Sequence, residues 1–534
     1  MALQKLRPQG LISADDIPPQ EVPPEYWTRA ENIAFRDVWP ERVPGWRFIY
    51  DANNPVEPPL HVRNNNFAGA NYWLYGTAAK IGVTDAAGTH YDITPTVAPS
   101  STTPNEWTSC ELNGEPVFNF VDVNGPVGWN RNTGTAATVM TDWPANESCA
   151  VIRAYKNFLM ALNRGGTTTI PSQVRWSNAA APGALPTWTV SATDDAGTLS
   201  CGATGEDCID GLTLRDSFIV YKGHSTYIVQ YIGGTLVMAQ REFLQTSGVL
   251  AANCVTEWAG NHLVLTDGDA IITDGNSVTS IADRRTRRAM FSEISQDNYK
   301  NSFVTHNASQ NEIWFCYPEE GATYATRALV WDANSGRAQL KDLINAYGGL
   351  SNRSLLLSGS GTAHATTGNV SVAASSDSWN YEAVLQWDSE SALEWGSTAV
   401  IDANDGMVSA DPDGTGSLVH FDIGPTIPDG DLVAVLRRDS LDFGDQYVFK
   451  LVTAVWPRLT GVVGDVVNVR VGSQDRINDQ ISWSQFEPFR IGIDEKIDTF
   501  STGRFISFEL QSTDGGVWRC TGLDVAIEVQ GRYG

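Results

Sequence analysis

Short apolar runs punctuated by turn residues dominate the hydropathy pattern of this chain. The densest stretch runs from Gly211 to Ile281. There SFIVY and TYIVQY flank the turn Lys222-Gly223-His224-Ser225, HLVL and AIIT flank Asp267-Gly268, and a third turn follows at Asp274-Gly275-Asn276. Turn residues between β-branched and aromatic runs predict hairpins. The runs are apolar at nearly every position, as strands buried on both faces are. Stacked antiparallel sheets bury strands in this way, and a β-propeller is such a stack.

Six clusters of strand, turn and strand extend from about Asn66 to Asn345. Their turns fall at Asp85–Gly88, at Asn124-Gly125 with Asn132-Thr133-Gly134, at Arg164-Gly165-Gly166, twice within the stretch above, and at Asn334-Ser335-Gly336. The second and sixth clusters share a fragment, Trp129 to Gly134 (WNRNTG) against Trp331 to Gly336 (WDANSG). Recurrence every 45–50 residues is the period of propeller blades. The pattern therefore predicts an all-β chain with a propeller of about six blades over 50–349. A pair of β-sandwiches would give similar strand spacing.

The flanks read differently. Residues 1–49 are punctuated by Pro8, Pro18, Pro19, Pro23, Pro24, Pro40 and Pro44, which predicts an extended arm. Its aromatics Tyr26, Trp27, Phe35, Trp39 and Trp46 predict that the second half docks, for instance on a neighbouring subunit. Residues 350–435 form a polar, loop-rich β insertion, whose segments 357–379 and 402–418 are candidates for partner docking or a gate. Within it Asp411-Pro412-Asp413-Gly414 has part of a calcium-loop pattern but lacks the full spacing, and an acidic turn is the simpler reading. Residues 436–534 alternate apolar and polar positions in YVFKLVTAVWPRL, VVNVRVGS and RFISFELQS, as a C-terminal β-sandwich would. One helix is expected, in ADRRTRRAMFSEISQDNY, with its apolar side on the propeller. Its Arg284, Arg285, Arg287 and Arg288 form a basic cluster that suits intrachain carboxylates, an acidic neighbouring subunit or DNA phosphate.

Composition narrows the function. With 62 acidic and 36 basic residues the net charge is −26, which disfavours static binding of nucleic acid. The seven cysteines are scattered, and reduced structural thiols are expected; Cys201 and Cys208 are the two that could pair. No run of 18 apolar residues predicts a membrane span, and MALQKLRPQG lacks the apolar core of a signal peptide. The seven histidines show no HExxH or HxH spacing; His224, in a predicted turn, and His262, at a strand start, both read as solvent-side or core-satisfied residues and not as ligands. Neither a GxSxG elbow nor a phosphate-binding loop is present, and Thr193 to Thr198 only begins like a sialidase Asp-box. No enzyme activity, cofactor or metal is expected from these patterns. A carbohydrate-binding or depolymerising propeller is the alternative, because Trp107, Trp129 and Trp188 lie near predicted turns and could stack on sugars.

Several longer pieces resemble the β-propeller tail nozzle, or tail hub, proteins of short-tailed bacteriophages. They include NIAFRDVWPERVPGW at 32–46, VRWSNAAAPGALPTW at 174–188, LRDSFIVYKGHSTYIVQYIGG, SGVLAANCVTEWAGNHLVL and DGNSVTSIADRRTRRAMF. NEIWFCYP, LDFGDQYVFKLV, GRFISFEL and the closing WRCTGLDVAIEVQGRYG complete the set, in order, over about two thirds of the chain. The resemblance implies a structural virion protein, made in the bacterial cytoplasm. It implies a homo-oligomeric ring, usually of six, below the portal and head-to-tail adaptor. That ring would carry fibres or spikes, retain packaged DNA and conduct the genome during ejection.

Overall fold

The computed structural model describes the chain except residues 1, 9, 12–18, 36–38, 49–58, 68–69, 86–88, 101–103, 122–124, 168, 203–205, 245–246, 283, 308–309, 349–361, 364–371, 374–407, 411–417, 422–431, 478, 514–515 and 533–534. Among the described residues, six antiparallel meanders of four strands follow one another over 61–92, 107–139, 147–200, 208–244, 255–280 and 303–348; the first five are separate sheets and the sixth continues into a seven-stranded sheet. Each pairs its strands in chain order, as propeller blades do. We number them blades one to six. The first strand of one blade packs beside the first strand of the next, from Trp107–Leu112 through Glu147–Tyr155, Cys208–Leu214 and Val255–Trp258 to Phe303–Asn307. These are the inner strands, and they surround the axis. Middle strands are mainly apolar: Glu312–Tyr317 and Ser217–Lys222 are almost wholly buried.

The shared fragment marks equivalent places. In blade two it forms the turn between the third and fourth strands, and in blade six it does the same. Both turns are nucleated by the residue after the tryptophan. Asn130 accepts from the Asn132 amide, and Asp332 accepts from the Asn334 amide at 2.9 Å. Such side-chain turns reproduce a backbone turn locally.

Beyond the blades lies a β-sandwich. One sheet holds Ile497–Gly503, Val448–Thr460, Arg519–Arg532, Glu41–Arg42 and Ile33–Ala34, with Ala2–Leu6 also on Arg519–Arg532. The other holds Ser482–Trp483, Val466–Gln474, Phe505–Ser512, Ala434–Leu441 and Arg29–Glu31. Alternation is strict in Ile497–Gly503, where every second residue is buried. The inward faces form a single core that includes Trp27, Phe35, Val469, Phe508, Trp518 and Val525.

The proline-rich segment docks on its own chain, and its first strand docks as well as its second half. Ala2–Leu6 pairs with Leu523–Ile527, Arg29–Glu31 pairs with Val435–Arg437, and Trp46–Phe48 closes the outer edge of blade six through Leu418–Phe421 and Val408–Ala410. Trp27 and Phe35 are buried in the sandwich core, whereas Tyr26 remains exposed. The physical reason is that proline-bounded pieces are long enough to add to the edges of sheets and too short to form one. Between the two domains, Ala34, Val43 and Leu432 share a core with Phe303, Trp314 and Val330 of blade six. Asn32 ties the joint: its amide donates to Asp342 and to the Val433 carbonyl, both at 2.8 Å. The candidate loops 357–379 and 402–418 lie almost wholly outside the described residues, as does the Asp411–Gly414 turn.

Candidate functional site

The propeller axis concentrates charged side chains that are buried. Arg153, on the inner strand of blade three, forks onto Asp210 of blade four, donating from Nε at 3.0 Å and from Nη2 at 2.9 Å. The same guanidinium donates to the Asn253 side chain at 2.9 Å and to the Ser109 carbonyl of blade two at 3.1 Å. Asn253, which has a left-handed φ of 66°, returns its amide to Asp210 at 2.7 Å and donates from Nδ2 to the Trp107 carbonyl at 3.0 Å. An asparagine tolerates that backbone conformation better than a branched residue. From blade one, Arg63 reaches the Ser109 carbonyl, and His61 lies 2.7 Å from the Ser109 hydroxyl. Side chains therefore bridge five blades across the axis.

The His61–Ser109 pair has the reach of a base and a nucleophile, but its electrostatics oppose that role. Burial, with Arg63 and Arg153 nearby, lowers the His61 pKa to about 3. A general base must hold a proton in the transition state, and two guanidiniums penalise the imidazolium. The axial network is better suited to fixing blade register than to catalysis. Asp210 is fully buried, and Arg153 supplies the paired charge that such burial requires.

The predicted helix forms as α1, Arg284–Glu293. Met290 and Ile294 are buried against blades five and six, and Phe291 packs beside them. Arg287 forms a 2.8 Å ion pair with Asp269 of blade five, an intrachain carboxylate. Arg284 and Arg288 are exposed on the helix, while the Arg285 side chain lies outside the described residues. At the far end Glu293 accepts from Tyr317 and Arg327, each at 3.1 Å. Burial alone would lower the Arg327 pKa, but Glu293, Glu319 and Asp342 outweigh it and raise it.

The tryptophans proposed as sugar platforms are inside the blades. Trp107, Trp129 and Trp188 are at most 1% exposed. Trp107 packs on Phe120 with centroids 5.0 Å apart, Trp188 meets Trp143 edge-on at 4.7 Å, and Trp129 donates to the Asn132 and Thr135 carbonyls. His224 is exposed in its turn, and His262 is buried between the Tyr221 hydroxyl and the Thr213 carbonyl, each at 2.9 Å. All seven cysteines are free and buried. No helix among the described residues is long and apolar enough to cross a membrane.

No protein-family model matches the chain, and no curated protein matches it. Among solved structures, the extracellular domain of a putative hybrid two-component system from B. thetaiotaomicron is 13% identical. That match covers 55% of this chain and 33% of the other, with a TM-score of 0.31. The chain thus spans about a third of that protein's length. YCF48 bound to D1 peptide is 12% identical over 56% of this chain and 86% of the other, with a TM-score of 0.33. The propeller assignment itself rests on the six consecutive meanders.

Proposed function

We propose that this chain is a wall subunit of a ring-shaped virion assembly, the tail nozzle of a short-tailed bacteriophage. In that role it continues the portal-adaptor channel, retains packaged DNA and conducts the genome during ejection. Partners in this reading are further copies of the chain, in a hexameric ring, with the head-to-tail adaptor above and fibres or spikes outside. The observation that supports it most is the joint. Strands from 2–48 enter both sheets of the sandwich and the outer edge of blade six, so propeller and sandwich are fastened at several points. A part that bears internal pressure benefits from being one block. The bridged propeller axis fits the same picture, since the channel would then lie between subunits and not through any one of them.

Charge supplies the conducting property. Copies at −26 each would surround DNA with an acidic wall, repelling its backbone over about 8 Å at physiological salt. DNA would slide without adhering. Replacing channel-facing carboxylates by lysine is expected to slow ejection; an unchanged ejection rate would contradict this part of the reading. Light scattering coupled to size-exclusion chromatography tests assembly. A defined ring without polysaccharide turnover supports the proposal, and a monomer that cleaves or retains polysaccharide contradicts it.

A further inference from the structure

The junction between blades three and four buries two thiols together. Cys201 follows the outer strand of blade three, Gly197–Ser200, and Cys208 opens the inner strand of blade four, Cys208–Leu214. Both are fully buried, and both belong to the core that holds Val174 of blade three and Val220 of blade four. The Cys201 amide donates to the Ser172 carbonyl at 2.9 Å, which fixes that end to blade three. At the other end Cys208 stands opposite Lys222 in the strand register, and the Lys222 ammonium reaches back to the Cys201 carbonyl at 3.0 Å. The two cysteines are thus held from both blades.

Their side chains meet. The Cys201 thiol has Cys208 as its hydrogen-bond partner, which together with burial raises its pKa against the opposing charge of Lys222. Other thiols of the chain are satisfied by oxygen. Cys149 donates to the Asn119 side chain at 3.2 Å, Cys254 to the Ser302 carbonyl at 3.2 Å and Cys520 to the Gly522 carbonyl at 3.8 Å. A disulfide requires two sulfurs that the fold has placed against each other, and Cys201 with Cys208 meets that requirement.

We propose that Cys201 and Cys208 are a redox pair that a peroxide closes to a disulfide, stapling blade three to blade four. One thiol, as its thiolate, attacks a peroxide oxygen; the O–O bond breaks, giving a sulfenic acid and one water. The second sulfur attacks the sulfenic sulfur, the S–S bond forms, and the sulfenic oxygen leaves as a second water. The two sulfurs lose two electrons, the peroxide gains them, and both thiol protons end in water. The buried Lys222 cation favours the thiolate that begins the sequence. The pair does not depend on the ring reading.

The test treats the native full chain with hydrogen peroxide, removes the excess with catalase and then denatures the chain in iodoacetamide. Both cysteines fall on one tryptic peptide, residues 176–215. The expected result is that this peptide escapes alkylation and is lighter by two hydrogen atoms than its thiol form, and that dithiothreitol given before alkylation restores both sites. The oxidised chain is also expected to melt at a higher temperature than the reduced one, a shift that Cys208→Ala removes. The peptide measurement uses the unsubstituted chain, so it holds whether or not that variant folds. Alkylation of both cysteines, or conversion of either to a sulfinic or sulfonic acid, at every peroxide dose that leaves the circular dichroism unchanged overturns the pair. A disulfide that forms without moving the melting profile overturns the staple.

Discussion

At the scale of single residues, the axial charge pair and the buried histidines govern stability. Asp210→Asn leaves Arg153 buried without its counter-charge, and breaking such a pair costs about 3–5 kcal/mol. Chemical denaturation followed by tryptophan fluorescence should show that loss in the propeller transition. A second prediction concerns pH. His61 and His262 are buried with pKa values lowered from 6.5 to about 3 and about 4, chiefly by burial. The unfolded chain takes up protons as pH falls through 6.5, while the folded chain refuses them until far lower. Stability is therefore complete above pH 6.5 and falls by about 1.4 kcal/mol per pH unit for each histidine below it. His90 and His306 are shifted in the same direction, also by burial. No histidine occurs from residue 432 onward, so calorimetry between pH 7 and 5 should show the propeller transition moving down first. At this scale much of the site was hidden in the sequence. His224 and His262 were readable as non-ligands, and the structure shows which is exposed and which is satisfied in the core. Arg153 and Asp210 were not readable as a pair, since 57 residues separate them and nothing local pairs one with the other.

At the scale of elements, the docked N-terminal strand is the feature most open to a single substitution. Gly522 has φ of 134°, and a β-carbon there would lie 2.2 Å from the Leu6 carbonyl. Gly522→Ala should detach Ala2–Leu6 from Leu523–Ile527. Hydrogen exchange at residues 3–6 would then rise toward unprotected rates, while the six blades keep wild-type protection. Asp524 reports the same event. Burial alone would raise its pKa, yet hydrogen bonds from Arg7 and Arg458 hold it below the usual carboxylate value. Middle blade strands were legible because their apolar runs and turn residues coincide, whereas outer strands such as Val278–Ser280 are exposed and carry no such run. The inner strands were largely missed. His61–Phe67 reads HVRNNNF, and its polar residues serve the axis, so hydropathy alone hides a strand there. The pairing of residues 2–6 with 523–527 was equally illegible, because an edge strand carries no record of its partner.

At the scale of the whole molecule, propeller, sandwich and woven N-terminal segment form one chain with a bridged axis and a strongly acidic surface. The basic residues of α1 illustrate how that surface is balanced: Arg287 is committed to Asp269, and Arg284 stays on the exterior. In the proposed function, the resemblance of ordered segments supports the assembly and the net charge of −26 supports its conduct toward DNA. Both depend on how copies of the chain are arranged. The measurement that tests this most directly is cryo-electron microscopy of the phage particle or of the purified protein, classified for rotational symmetry. The account predicts six-fold rings below the portal, one propeller per subunit, and a bore running between subunits. Monomers or trimers at the tail periphery, or a bore passing through the propeller axis, would contradict it.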